Sequence, residues 1–278
     1  MKVRFWGVRG SLATPGPETL KYGGNSTCVQ VTLSGGEVIL FDCGSGVRNA
    51  GRAMINQSGL SEIYIFLTHA HWDHLSGFPF FAPAYMEKYT LHVRGGPTAK
   101  SSLRDYLQQQ MQAPYFPVPF NSLKASFDFS QGEPLIRQVG SAEVTPIKSS
   151  HPNGCYGFKI TEAGRQLVFF TDHELGMSHE GGRPRQEYVE FCRGVDLLLH
   201  DTQYTEDQYA RTRGWGHSTY NQGIDFAIEA GVGALGLIHH DPDHTDDIME
   251  RIENQARERA RSAGLECFAA REGMTIDV

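Results

Sequence analysis

Residues 66–77 read Phe-Leu-Thr-His-Ala-His-Trp-Asp-His-Leu-Ser-Gly, so His69, His71, Asp73 and His74 fall within six consecutive positions. Imidazole nitrogens and carboxylate oxygens are both zinc ligands, at about 2.0–2.2 Å. An aspartate seldom goes inside a protein without a partner. A cluster this dense, straight after an apolar run, calls for a cation at its centre. In a tight loop His69 and His71 can converge on one ion while Asp73 and His74 turn toward a second. Two metals about 3.5–4 Å apart suit phosphoester and amide hydrolysis, because together they stabilise the attacking and the leaving oxygens.

Such residues must be held by something rigid, and they fall where β-like runs end. The runs 2–7, 27–33, 38–42, 64–69 and 90–95 are rich in β-branched and aromatic residues, as are 142–150, 155–161, 165–172, 195–201 and 234–240. Asp42, His69, Ser150-His151, Asp172, His200-Asp201 and His239-His240 close six of them. Strand ends gathered at one edge of stacked sheets are a common place to build a site. Helices are expected over 218–231, opening at a Ser218 or Thr219 cap and stopping at Gly231, and over 245–264, with acids early and arginines late. The section 98–135, with Pro114, Pro117 and Pro119 among aromatics, is expected to be an irregular loop. No repeat, low-complexity tract or clear linker divides the chain. The expectation is one α/β domain over 1–278, with two halves built alike.

Composition narrows the function. The chain has 278 residues, 40% of them apolar, with no run of about 20 apolar residues to span a membrane. Its first residues show no secretory signal. Cys28, Cys43, Cys155, Cys192 and Cys267 are widely spaced, neither a disulfide framework nor a C-x-x-C zinc site, which fits a reducing cytoplasm. A net charge of −7 argues against a strongly basic face for long nucleic acids.

The run Thr-His-Ala-His-Trp-Asp-His (68–74) resembles the signature of the metallo-β-lactamase superfamily, and the resemblance extends over essentially the whole chain. It implies an αββα sandwich, two mixed β-sheets flanked by helices, with a dinuclear metal site at the sheet edge. The implied first-metal ligands are His69, His71 and His151. Asp73, His74 and His239 would hold the second metal, and Asp172 would bridge both. Counting back three residues from Pro242 favours His239 over the adjacent His240. Asp42 would support the metal loop, and Asp42 and Asp201 would orient ligand histidines. His173 and His200 are expected to pack or support, and His244 to lie at the surface. The implied cofactors are two divalent ions, zinc first, with manganese or iron as alternatives.

The stretch Gly-Trp-Gly-His-Ser-Thr (214–219) is similar to the tRNase Z-like branch, which includes tRNA 3′-end nucleases and small-molecule phosphodiesterases. There the equivalent of His217 faces the phosphate and assists departure of the leaving group. The resemblance therefore implies in-line attack on phosphorus by hydroxide held between the metals, with Asp73 and His217 as catalytic residues. The opening Trp-Gly-Val-Arg-Gly-Ser (6–11) would place a glycine-rich loop near the metal edge, and the overall format, including residues 8–31, looks like bacterial proteins described as metallo-hydrolases or cyclic-nucleotide phosphodiesterases. The branch's tRNA nucleases grip tRNA with a basic, Gly-rich arm. Here 98–135 offers Lys100, Arg104 and Lys124, with Arg137 nearby, and instead Tyr106, Tyr115, Phe116 and Phe120. That suits stacking one base or covering a small ligand better than gripping a polyanion. The loop 178–187 reads as a lid or a surface turn.

The first expectation is thus hydrolysis of a small phosphodiester, most simply a cyclic nucleotide, with no membrane partner and no strong nucleic-acid signal; the resemblance allows a homodimer. The alternatives are a tRNA 3′-end processing endonuclease, a lactonase or thioesterase of the same fold, and a metal-free interaction protein.

Overall fold

The computed structural model describes residues 1–95, 103–129 and 137–278. Among these, the first part of the chain runs β1 (Lys2–Gly7), β2 (Cys28–Thr32), β3 (Val38–Phe41), α1 (Val47–Met54), β4 (Glu62–Leu67), the one-turn α2 (Trp72–Leu75), β5 (Thr90–Gly95), α3 (Leu103–Gln110) and β6 (Ser126–Phe129). The second part runs β7 (Arg137–Val139), β8 (Ala142–Ser149), β9 (Cys155–Glu162), β10 (Arg165–Phe170), α4 (Arg185–Cys192), β11 (Leu197–Asp201), α5 (Glu206–Thr212), α6 (Tyr220–Ala230), β12 (Ala234–Ile238), α7 (Asp246–Ser262), β13 (Glu266–Ala269) and β14 (Thr275–Asp277).

The strands form two mixed sheets, ordered β14-β1-β2-β3-β4-β5-β6 and β13-β12-β11-β10-β9-β8-β7. Neighbours joined by direct loops or turns, such as β2–β3 and β9–β10, pair antiparallel. Neighbours separated by a helix, such as β3–β4 across α1 and β12–β13 across α7, pair parallel, as a crossover requires.

Alternation along each strand then builds the layers. In β3, Ile39 and Phe41 face the second sheet, while Val38 and Leu40 face α1. In β10, Leu167 and Phe169 point inward, and Val168 and Phe170 pack under α4, α6 and α7. Phe41 stacks on Phe169 with ring centroids 4.8 Å apart, joining the sheets. Each such buried side chain contributes about 1.5–3 kcal/mol. Strands covered on both faces read as unbroken apolar runs, which is why they were legible. The result is the expected αββα sandwich. Among the described residues no helix is long and apolar enough to cross a membrane.

Two expectations are corrected. The section 98–135 is not irregular throughout. Its Pro-rich centre is, but Leu103 and Leu107 are one turn apart and bury α3 against the first sheet, and β6 adds to β5 as a parallel edge strand. Residues 96–102, Lys100 included, and 130–136 lie outside the described residues. The strands also stop earlier than expected: β4 ends at Leu67, β10 at Phe170 and β12 at Ile238. His69, Asp172 and His239 therefore sit in the turns just beyond the strands, where side chains can bend back over the sheet edge.

Candidate active site

Three of these turn residues adopt positive φ without being glycine: Asp42 (61°), Asp172 (48°) and His239 (63°). Such a conformation costs on the order of 1–3 kcal/mol and persists only where the surroundings over-determine it. Asp42 shows how. Its Oδ1 accepts Thr68 N–H at 2.8 Å, and its Oδ2 accepts the Thr68 hydroxyl at 2.9 Å and His74 Nδ1–H at 2.7 Å. The buried carboxylate thereby ties the end of β3 to the metal-type loop.

The loop and the other turns converge on Asp172. Its Oδ2 lies 3.5 Å from His69 Nε2 and 3.7 Å from His151 Nε2, which is itself 3.3 Å from His71 Nδ1. Its Oδ1 lies 3.1 Å from His74 Nε2 and 3.3 Å from His239 Nε2. Asp73 Oδ2 completes the second group, 3.1 Å from His74 Nε2 and 3.2 Å from His239 Nε2. The structure therefore brings together all seven residues singled out for metal binding: His69, His71, His151 and Asp172 in one group, Asp73, His74 and His239 in another, with Asp172 Oδ1 beside the second and a third grouping of Asp172, His239 and His217.

The outer hydrogen bonds decide which way the rings face. His74 gives its Nδ1–H to Asp42, and His151 gives its own to Gly216 O at 3.0 Å. Thr68 spends its hydroxyl proton on Asp42, so it accepts from His69 Nδ1 at 3.0 Å. The Nε2 atoms of all three rings are thus left pointing inward, those of His69 and His151 with lone pairs free and that of His74 between the Asp73 and Asp172 carboxylates. His69 Nε2 is buried with no hydrogen-bond partner among the described residues, and His74 Nε2 approaches His239 Nε2 to 3.3 Å. Lone pairs and carboxylates facing one another need a cation between them, and imidazole with carboxylate is a donor set that fits zinc-type divalent ions.

The electrostatics agree. Burial pushes His69 well below the usual histidine range and His151 down to about 4. Burial would also raise Asp73 and Asp172, yet the histidines around them hold both well below the usual carboxylate range. Burial likewise opposes a charged His74, but Asp73, Asp172 and Asp42 surround it and hold it well above the normal range. The pocket attracts positive charge, and burial keeps His69, His71 and His151 neutral, each with one nitrogen free to bind a cation.

One prediction follows from the ring orientation. Asp42→Asn keeps the shape but can present an N–H to His74 Nδ1, which would put the ring hydrogen on Nε2, into the site. Metal affinity should fall about 10–100-fold, the usual scale for a group that orients a ligand. Titration with a competing chelator measures it; unchanged affinity would show that Asp42 does not set the ring.

Beside the second group stands His217. Its ring stacks on His239, centroids 4.9 Å apart, and its Nδ1 donates to Asp201 Oδ2 at 2.8 Å. Burial would lower this histidine, but Asp201 pushes it up to about 9. His240 turns the other way and donates Nε2–H to Ala270 O at 2.9 Å, so His239 alone of the adjacent pair reaches the cluster. His173 and His200 are buried and pack with Phe170, at 4.2 Å and 5.8 Å between centroids. His244 corrects an expectation. It is buried, not at the surface, because the buried Arg9 guanidinium takes its carbonyl at 2.6 Å and Gln208 Oε1 lies 3.0 Å from its Nε2. Thr219, not Ser218, caps α6: its hydroxyl accepts Gln222 N–H at 3.1 Å, while Ser218 donates to His173 O.

Sequence reasoning missed Glu174. Its buried carboxylate accepts Gly214 N–H and Gly216 N–H, each at 2.8 Å, and the Tyr209 hydroxyl at 2.7 Å, with His179 Nε2 also at 2.7 Å. It pins both ends of the segment that carries Trp215 and leads into His217, and the Gly216 carbonyl in turn holds His151. The one available signal was an acid directly after the Asp172-His173 pair; its partners lie 35 residues or more along the chain, apart from His179. The expected loop 178–187 is a loop only to Pro184, since α4 begins at Arg185, and it is stitched to the site edge, with Ser150 Oγ accepting His179 N–H at 2.9 Å. At the opening of the chain, Ser11 N–H reaches Asp73 Oδ2 at 2.7 Å, which brings the Gly10-Ser11 turn to the metal edge.

The sequence family described as the beta-lactamase superfamily domain matches residues 37–240, which includes every one of these clustered side chains. The chain belongs to the metallo-β-lactamase superfamily. It is a metal-dependent hydrolase of that superfamily. Among its relatives, ribonuclease Z of Haloarcula marismortui is 24% identical over alignments covering 86% of each chain. Human tRNase Z, short form, superposes with a TM-score of 0.67 at 21% identity, covering 100% of this chain and 99% of that one. A diphosphatase from the PhnP family superposes with a TM-score of 0.71 at 17% identity, covering 100% and 97%. Within the superfamily the chain is similar to the tRNase Z-like branch.

Proposed function

We propose that this superfamily member is a dinuclear phosphodiesterase and that its substrate is RNA, with tRNA 3′-end processing as the specific reading. The observation that carries the chemistry is Asp172, with one oxygen toward each ligand group and the His217–Asp201 pair alongside. The RNA reading is supported by the ribonuclease Z relatives. It replaces the first expectation of a small cyclic phosphodiester, which the overall resemblance and the aromatic segment 98–135 had favoured.

His69, His71 and His151 would hold one cation, Asp73, His74 and His239 the other, and Asp172 both. When bound, two such ions stabilise charge on the phosphoryl oxygens and make water acidic near neutral pH. The chain's own groups handle the protons. Asp73 is kept ionised by His74 and His239, and we assign it the proton of the attacking water. Asp201 holds His217 by Nδ1 and favours its charged form, so at neutral pH the opposite ring nitrogen has a proton to give to the departing alkoxide.

Replacing His217 with alanine should leave both metals bound and slow hydrolysis of an alkyl phosphodiester by about 10²–10⁴-fold. An ester with a p-nitrophenoxide leaving group, which needs no proton to depart, should lose much less. Equal losses on the two esters would remove His217 as the proton donor.

A second reading, a small phosphodiester, keeps support from one observation. The described residues 103–129 carry Arg104 and Lys124 against Asp105 and Asp128, no net basic arm for a polyanion. The deciding experiment offers metal-loaded protein a tRNA precursor with a 3′ trailer, then 3′,5′-cyclic AMP and 2′,3′-cyclic AMP followed by phosphorus NMR. Cleavage of the trailer, weakened by salt, supports the RNA reading. Cleavage of a cyclic nucleotide alone moves the function to small phosphodiesters. If nothing is cleaved by protein carrying two metals, the phosphodiesterase reading fails.

A further inference from the structure

A cleft of about 630 Å³ opens beside the metal-type cluster, and His217 is the one member of the catalytic set on its wall. Its other walls include Trp215, Arg211, Gln203, Asp241 and Asp243. The volume falls within the range of about 300–1,000 Å³ typical of pockets for single small ligands. Since His217 Nδ1 is committed to Asp201, the rest of its ring is what the cleft can meet.

Trp215 is 64% exposed at this wall. It is not loosely held. Both glycine amides that flank it, Gly214 and Gly216, are bound by the buried Glu174 carboxylate. A large flat ring on a fixed backbone offers stacking area at little ordering cost. The lining also carries two carboxylates, Asp243 and Asp241, the latter already accepting Asp243 N–H at 2.8 Å, against one cation, Arg211. Carboxylates accept hydrogen bonds from hydroxyls and exocyclic amines. They repel a second phosphate. The lining thus matches an uncharged ring and sugar rather than a further stretch of polyanion.

We infer that this cleft binds a single nucleoside unit, the one attached to the leaving oxygen, with its base stacked on Trp215 and its hydroxyls or amines toward Asp241 and Asp243. The direction rests on the phosphodiesterase reading. Water oxygen bonds to phosphorus as the bond from phosphorus to the nucleoside oxygen breaks, and His217 returns a proton to that oxygen. The nucleoside leaves as an alcohol and the phosphate stays on the other fragment. The cleft would then choose the residue before the cut in RNA, or the nucleoside itself in a small ester.

Adenosine tests the cleft without any turnover. Saturation-transfer NMR and tryptophan fluorescence of the full chain should show adenosine binding. Trp215→Ala should weaken it roughly 5–150-fold, the scale of one base stacked on an aromatic ring. Trp215→Phe should restore most of the loss. Absence of adenosine binding at millimolar concentration, or equal binding by Trp215→Ala, would overturn the inference. Hydrolysis of bis(p-nitrophenyl) phosphate by the wild-type protein is scored separately. If that ester is cleaved but adenosine does not bind, the cleft assignment fails and the phosphodiesterase reading stands. If adenosine binds through Trp215 but no phosphodiester is cleaved, the cleft stands and the reading fails.

Discussion

Asp172→Asn should cost the protein at least one of the two proposed cations and slow hydrolysis by on the order of 10³-fold or more, the scale seen when a charge-stabilising group is removed from a hydrolytic site. The substitution keeps volume and backbone, including the strained φ of 48° at this position. What changes is charge and hydrogen. Asp172 presents Oδ1 to His74 and His239 and Oδ2 to His69 and His151. An amide presents one acceptor and two N–H donors. The donor end would face ring lone pairs and hydrogen-bond to them, stapling one ligand group shut. Metal analysis of the purified variant, with circular dichroism to show that the fold is intact, gives the readout. Two tightly bound metals and full turnover in the variant would show that Asp172 does not bridge.

Gly216→Ala should be nearly as damaging, although Gly216 touches no proposed ligand atom that faces the metals. Its φ is +99°, where an L side chain is strained at a cost of about 1–3 kcal/mol. A Cβ there would also lie 2.1 Å from His151 Nδ1 and 2.5 Å from Pro152 Cδ. Something must move, and each neighbour matters. The Gly216 carbonyl is the acceptor that orients His151, its amide is held by Glu174, and the next residue is His217. Losing the orienting bond should weaken the metal about 10–100-fold. A displacement of about 1 Å at His217 should cost a further 10²-fold or so in turnover. Gly214→Ala is the matched comparison. It too has positive φ, at +92°, but its Cβ would meet only Met177 Sδ at 3.5 Å. It should share the backbone strain and keep the metal. If the two variants bind metal equally well, the crowding against His151 is not what makes Gly216 necessary.

How much of this was readable in advance depends on how far apart the partners lie along the chain. The candidate metal loop stood out because His69, His71, Asp73 and His74 are local: four donors within six positions constrain each other whatever surrounds them. The ten central strands were legible because burial forces apolar runs, and six of those runs end in a chemistry-bearing residue; the short edge strands β6, β7, β13 and β14 were not read. The superfamily resemblance added the remaining members of the cluster.

Other features depended on contacts between distant segments. His239 and His240 are chemically alike in the sequence. The turn at φ 63° swings the first toward Asp172, and the carbonyl of Ala270 holds the second away. His244 looked like a surface residue until Arg9, 235 positions earlier, claimed its carbonyl. α3 was hidden because prolines just downstream dominate the reading, while Leu107 finds its core only once the first sheet exists. Glu174 left almost no trace, since two of its partners are backbone amides, which every residue possesses and no sequence displays. Donor types and local spacing are written residue by residue. Which donor faces which, and which carboxylate holds a loop still, is settled only when folding closes chain segments tens to hundreds of residues long into one buried, low-dielectric pocket.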